Sequence, residues 1–433
     1  MKTKKLLTSL LAGTMLLGGL AGCSGNAGSD RPIKNIAEPK PEVNLTSISE
    51  GNIPEYNQKM AADGYNEFAL KLFATVAKKE DKGVNVMVSP ASVMFALDLA
   101  DAGACKNTLA EINKAIGGAD LTPEQQQAFA SQWMKDLNAS EAVKFSVANA
   151  IWSNKDIVGD KLNPDYVAFV EKLYEAKAKS VKFDDGARSD INNWVNEKTK
   201  GMIDKIIDDL DPQTAAFLVN AIAFEGAWEE KYEEYQITPG TFKGTNGNGD
   251  ALMMTEMSPY YYESDKAIGF SKMYEGGQYC FVAILPKDEN TDANTFMSQF
   301  TGEDYAKFIA SKTADYDVTT KIPKFKNDYD VYLNDALKDM GIKDAFDPVS
   351  ADFTGIAHTD ENMYISKVLH KTFIDLDENG TKAAAVTAIS MECAGVMPED
   401  KEKKEVICDR PFGYMILDCT NDKPVFVGTV NNI

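Results

Sequence analysis

The sequence predicts a mixed α+β fold in one large domain. Three observations carry this: helix-period apolar stripes dominate the early chain, apolar strand-like runs dominate the later chain, and no repeat of about 20–50 residues is visible. With 433 residues, 44% of them hydrophobic, the chain can bury a sizeable core.

The elements follow in order. In "DGYNEFALKLFATVAKK", Tyr65, Phe68, Ala69, Leu72, Phe73 and Val76 recur at helical spacing behind Asp63, which reads as the N-cap. "VNVMVSP" alternates Val84, Val86 and Val88 as a strand does, and "ASVMFALDLADAGA" returns to helix. "TAAFLVNAIAFEGAW" is an almost unbroken apolar run, as expected of a strand buried on both faces. Cys280, inside the apolar "QYCFVAILP", reads as a small buried core residue. Near the end, "RPFGYMILD" and "KPVFVGTV" flank the turn-like "CTND", the pattern of a hairpin.

The N-terminus reads as targeting. Lys2, Lys4 and Lys5 precede an apolar run from Leu6 to Leu17, too short and wrongly flanked to span a membrane. It ends in "LAGC", which resembles the bacterial lipobox and implies lipidation at Cys23 after removal of a signal peptide, residues 1–22. A doubly acylated cysteine meets the threshold for stable anchoring. Residues 23–58, rich in Ser, Gly, Asn and Pro, read as a tether that spans on the order of 30 Å. The domain, residues 59–433, is therefore expected in a bacterial cell envelope, lipid-anchored and surface-facing or extracellular.

Composition excludes several classes. A net charge of −21 with no basic patch argues against a nucleic-acid partner, and the densest lysine cluster, "DKEKKE", is interleaved with acids. The only histidines are His358 and His370, so a histidine metal site is hard to build. Beyond Cys23 there remain Cys105, Cys280, Cys393, Cys408 and Cys419, an odd number without C-x-x-C spacing, which excludes a dense disulfide framework and leaves open whether Cys393, Cys408 or Cys419 pairs. No H-E-x-x-H, G-x-S-x-G or phosphate loop occurs, and nothing local marks Cys393 with His370 as an activated pair. No cofactor and no enzymatic activity are expected.

Seven segments in order, "NVMVSPASVMFALDLADAGACKNTLAEI", "FSVANAIW", "INNWVNEKTKGMIDKII", "FLVNAIAFEGAWEEKYEE", "IPKFKNDYDVYLNDALKDMGIKDAFDPVSADFTGI", "YISKVLHKTFIDLDENGTKAAAVTA" and "DRPFGYMILDCTNDKPVFVGTV", resemble the serpin family. The resemblance implies three β-sheets with eight to nine helices and an exposed reactive loop, about residues 378–405, that baits a serine protease. It further implies a cluster of Ser89, Ser92, Asn220 and His370 where the main sheet opens. Trp228, Lys324 and Glu378 would mark the point where insertion begins, and Glu378, Gly380, Thr381, Ala383, Ala384 and Ala385 the hinge. Family spacing places the attacked bond fourteen residues after Gly380, at Ala394–Gly395, with Cys393–Ala394 and Met391–Glu392 as fallbacks because the segment to Asp409 is long and charged. A small residue there suits an elastase-type protease. The inhibitor is expected to act as a monomer, meeting a membrane only through Cys23.

The loop's own residues can be read without the family. As a strand, one face carries Thr381, Ala383, Ala385, Thr387, Ile389 and Met391, with no charge, and the other carries both Lys382 and Glu392. A one-residue slip would bury those charges. Alanine propensity alone favours a surface helix here, an alternative softened by Val386, Thr387 and Ile389. The competing function is a serpin fold without inhibition, acting as a binding or folding-assistance module. Small hinge residues favour inhibition.

Overall fold

The structure, a computed structural model, describes residues 54–117, 120–159, 162–357, 359, 362–381 and 401–433, in the compact unit Val43–Ile433. Helix α1 (Gln58–Ala77) opens it, followed by the short strand β1 (Met87–Val88) and helices α2 (Pro90–Asp101), α3 (Lys106–Gly117) and α4 (Pro123–Ala139). Next come β2 (Val143–Asn154), α5 (Lys155–Val158), α6 (Pro164–Tyr174), β3 (Lys177–Val181), α7 (Asp185–Lys198) and β4 (Ala216–Ala227). The strand-rich half holds β5 (Ile237–Gly244), β6 (Gly247–Ser258), β7 (Tyr261–Glu263), β8 (Ala267–Met273) and β9 (Tyr279–Pro286). Helices α8 (Ala293–Ser298) and α9 (Gly302–Ala310) lead to β10 (Tyr316–Pro323), β11 (Phe325–Tyr332) and α10 (Asn334–Asp339). The chain closes with β12 (Lys367–Asp377), β13 (Gly380–Thr381), β14 (Glu402–Ile407), β15 (Phe412–Asp418) and β16 (Lys423–Val430).

The helix starts follow local chemistry. Asn57, not Asp63, caps α1: its side-chain oxygen accepts from the Met60 N–H at 3.0 Å, while Asp63 lies inside the helix and pairs with Lys59 one turn back. Tyr56, just ahead of the helix, packs edge-on against Phe129, ring centroids 6.0 Å apart. Ser89 caps α2 with Pro90 at its first turn, and Thr122 with Gln125 forms a capping box on α4. Ten α-helical segments occur among the described residues, against the eight to nine expected; the excess reflects short pieces such as the single-turn α5.

Three sheets form. The main sheet has the order β11-β12-β13-β4-β2-β3, a second has β1-β16-β15-β9-β8-β7, and the third has β14-β10-β6-β5. The main sheet is covered on both faces, which is why β4 is apolar almost throughout, Asn220 and Glu225 apart. Leu218, Ile222 and Phe224 face the large core, while Phe217 and Val219 meet Trp152, Ile191, Val195 and Leu369 on the side of α7. The last two long strands pair as an antiparallel hairpin, β15 with β16.

One feature of the main sheet positions the site. β4 and β12 pair in parallel from Phe217 with Lys367 to Ala223 with Phe373. Beyond those seven pairs they part, and β13 lies between them, antiparallel to both: Thr381 faces Leu376 and Gly226, Gly380 faces Asp377 and Ala227.

Candidate functional site

At the parting of β4 and β12 the chain doubles back after β12, and glycine makes the turn possible. Gly380 has φ +148°, and a Cβ there would lie 2.0 Å from the Gly226 carbonyl oxygen and 2.8 Å from the Ala227 Cα. Thr381 is fully buried, and its hydroxyl is hydrogen-bonded to the Tyr274 phenol at 2.7 Å. Trp228 braces the same point. Its backbone N–H donates to the Asn379 carbonyl at 2.9 Å, its indole N–H donates to the Asp377 carbonyl at 2.9 Å, and its ring stacks on Tyr274 with centroids 4.5 Å apart. Lys324 forms an ion pair with Glu378 at the half-exposed rim. Burial pushes the Glu378 carboxyl up, but the hydrogen bond and charge of Lys324 outweigh it and leave the group below its ordinary range.

A second cluster lies three pairs below the parting. His370 and Asn220 are register partners across β12 and β4, and their side chains are hydrogen-bonded, Nδ1 to Oδ1. The Ser89 backbone N–H donates to His370 Nε2 at 2.9 Å. Because Nε2 must accept, the ring proton sits on Nδ1 and is donated to Asn220 Oδ1. The Asn220 amide then donates to the Ser92 carbonyl and hydroxyl, each at 2.6 Å, and to Asn149 Oδ1 at 2.7 Å. Ser89 Oγ donates to the Val425 carbonyl at 2.8 Å. The network thereby stitches β2, β4 and β12 to α2 and β16. Burial lowers the His370 pKa to about 3, so the ring is neutral at ordinary pH.

Ser89, Ser92, Asn220 and His370 are thus one contiguous cluster, and Trp228, Lys324, Glu378, Gly380 and Thr381 another. Ala383, Ala384, Ala385, Ala394, Gly395 and Cys23 lie outside the described residues, as do Cys393 and His358. Three contributors escaped the sequence reading. Asn149 is a polar residue in an apolar strand that needs a partner, which is the signal that could have found it. Tyr274 carries no such mark. The third is the buried ion pair of Lys272 with Glu256 at 2.5 Å, whose ammonium lies 4.2 Å from the Tyr232 ring and 5.6 Å from the Trp228 ring. Among the described residues no group of three or more His, Cys, Asp or Glu could hold a metal ion.

Three sheets, with a main sheet that parts to seat the first residues of the segment that follows it, define the serpin fold. The chain belongs to the serpin family: the family model, described as serine protease inhibitor, matches residues 63–433. Members of this family are in general protease inhibitors and not enzymes. Among relatives, an uncharacterised serpin-like protein of Thermococcus kodakarensis is 30% identical, with 98% of each chain covered. Leukocyte elastase inhibitor A of Mus musculus is also 30% identical over 84% of this chain and 97% of its own. Among solved structures, the thermophilic serpin tengpin in its native state superposes with a TM-score of 0.80 at 36% identity, covering 89% of this chain and 96% of that one. The latent state of the same protein gives 0.73 at 33% identity, covering 88% and 99%.

Proposed function

We propose that the chain is a suicide-substrate inhibitor of serine proteases, in which the segment after Gly380, once cut, enters the main sheet between β4 and β12 and traps the acylated protease. The single observation that supports this is β13, two residues already paired antiparallel to both neighbours at the head of the parting. Continuing that register would bring Ala383, Ala385 and Thr387 onto the buried face, with Thr387 level with His370 and Asn220. Each new ladder hydrogen bond contributes roughly 1 kcal/mol net. Antiparallel pairing also replaces the slightly weaker parallel pairing of β4 with β12. Insertion is opposed by the seven existing pairs and by the His370–Asn220 latch, which must open before the new bonds form. The uninserted fold is held by that barrier, and cutting the loop frees the end that must move. In this reading the first cluster starts insertion and the second gates it.

The proposed target class is elastase-type. Ala394, fourteen residues after Gly380, offers a small side chain to a shallow primary pocket, and a relative bears the name leukocyte elastase inhibitor A. The proposed location is an envelope surface, with Cys23 lipidated and residues 23–58 as tether; Cys23→Ser should leave the membrane fraction, and its retention there would count against a lipid anchor. Incubation with elastase-type and trypsin-type proteases tests the specificity. Elastase-type enzymes should give complexes that survive denaturing electrophoresis, Ala394→Arg should reverse the preference, and the reduced C-terminal fragment should start at Gly395. A fragment starting within "DKEKKE" would overturn the assigned bond.

A further inference from the structure

We propose that Cys280 and Cys419 are a disulfide-forming pair that covalently joins the body of the domain to its C-terminal segment. Cys280 lies on β9, where its Cα partner on β15 is Leu417. Cys419 stands two residues beyond Leu417, on the same face, and its backbone N–H donates to the Gln278 carbonyl at 2.8 Å. The two residues therefore form a same-face diagonal across an antiparallel pair. Their sulfurs are 3.0 Å apart. A disulfide needs about 2.05 Å, so the two sulfurs must approach by about 1 Å to bond.

The surroundings suit exchange chemistry. Cys280 is buried, whereas Cys419 is only partly buried. The hydrogen bond between the two sulfurs, together with the Lys312 charge, holds the Cys419 thiol below its ordinary range against its burial, while the same hydrogen bond and burial push Cys280 up. The Cys419 thiolate attacks a sulfur of a small disulfide, releasing one thiolate and leaving a mixed disulfide. Cys280 then loses its proton and attacks the Cys419 sulfur, expelling the second thiolate. Two protein thiols are oxidised by two electrons and one external disulfide is reduced to two thiols. Cys105 is placed differently, with its sulfur accepting from the Thr354 hydroxyl at 3.4 Å.

The position of the pair gives the bond its consequence. Cys280 precedes the segment between Thr381 and Lys401, and Cys419 follows it. A cut anywhere in that segment would leave β14, β15 and β16 covalently attached to the remainder. The bond also closes a loop of about 140 residues, long enough to restrict the unfolded chain substantially.

The test uses the full chain, fully reduced, then equilibrated with oxidised glutathione under folding conditions and mapped by mass spectrometry without reduction. The expected result is one cross-linked peptide pair containing Cys280 and Cys419, with the loss of two hydrogens and no glutathione retained on either. Cys280→Ala should instead hold glutathione on Cys419, and Cys419→Ala should leave Cys280 as a thiol. The oxidised wild-type chain should unfold roughly 3–8 °C above the reduced one, reversibly with reductant. Stable glutathione on Cys419 in the wild-type chain, a bond from either cysteine to another residue, or both thiols remaining free would overturn the proposal. The wild-type mapping decides the matter even where a variant fails to fold.

Discussion

The hydroxyl of Thr381 lies 2.7 Å from the phenol of Tyr274, at the place where β4 and β12 separate. That contact fixes which face of the following segment would turn inward. Thr381 is fully buried, so residues two, four and six positions on would share its face if the strand continued.

Thr381→Arg is expected to turn an inhibitor into a substrate. A guanidinium at this position would be buried beside Tyr274 with no acid opposite it, since the facing residues are Leu376 and Gly226. Kinetic partition between complex and cleaved inhibitor measures this. Complexes formed as efficiently as by the parent would show that the proposed register is wrong.

Gly380→Ala should push β13 out of the sheet. The methyl group meets the Gly226 carbonyl, and φ +148° is a backbone state that alanine avoids. Hydrogen exchange at the amides of Trp228 and Tyr232, which donate to the Asn379 and Glu378 carbonyls, should accelerate at least about tenfold, matching a local loss of about 1.4 kcal/mol or more. Unchanged protection would mean that the turn is held by its neighbours and not by glycine.

The His370 cluster carries a defined pH dependence. Burial lowers the folded-state pKa to about 3, while an unfolded histidine titrates near about 6.5. The unfolded chain therefore binds the proton first. The contribution of neutral His370 is complete above about pH 6.5 and is lost progressively as pH falls toward about 3. In urea unfolding, the stability advantage of the wild-type chain over His370→Gln should shrink steadily from pH 7 to pH 4. A constant difference would mean that the imidazole is not held neutral.

Much of the fold was legible in sequence because its signals are local. The almost unbroken apolar run of β4 reflects cores on both faces, and the residues around "CTND" form the expected hairpin of β15 and β16. The ends of elements were less legible, as with Asn57, since Asp63 satisfies the same local rule for a cap but is used for an ion pair. Strand β14 was hidden because "DKEKKE" supplies four of its six residues and it lies at the edge of its sheet, where charged side chains face water and mask the strand pattern. The site showed the same divide. Ser89, Asn220 and His370 stand out as polar residues in apolar segments, whereas Tyr274 resembles any core aromatic and the proximity of Cys280 to Cys419 arises only from the pairing of β9 with β15.

The most direct test is thermal unfolding of the chain before and after a single cut between Thr381 and Lys401, both samples in reductant so that no disulfide contributes. About twelve residues added to the sheet at roughly 1 kcal/mol each should raise the unfolding midpoint by more than about 10 °C. An unchanged or lower midpoint would mean that the cut segment does not enter between β4 and β12, and would contradict the insertion mechanism.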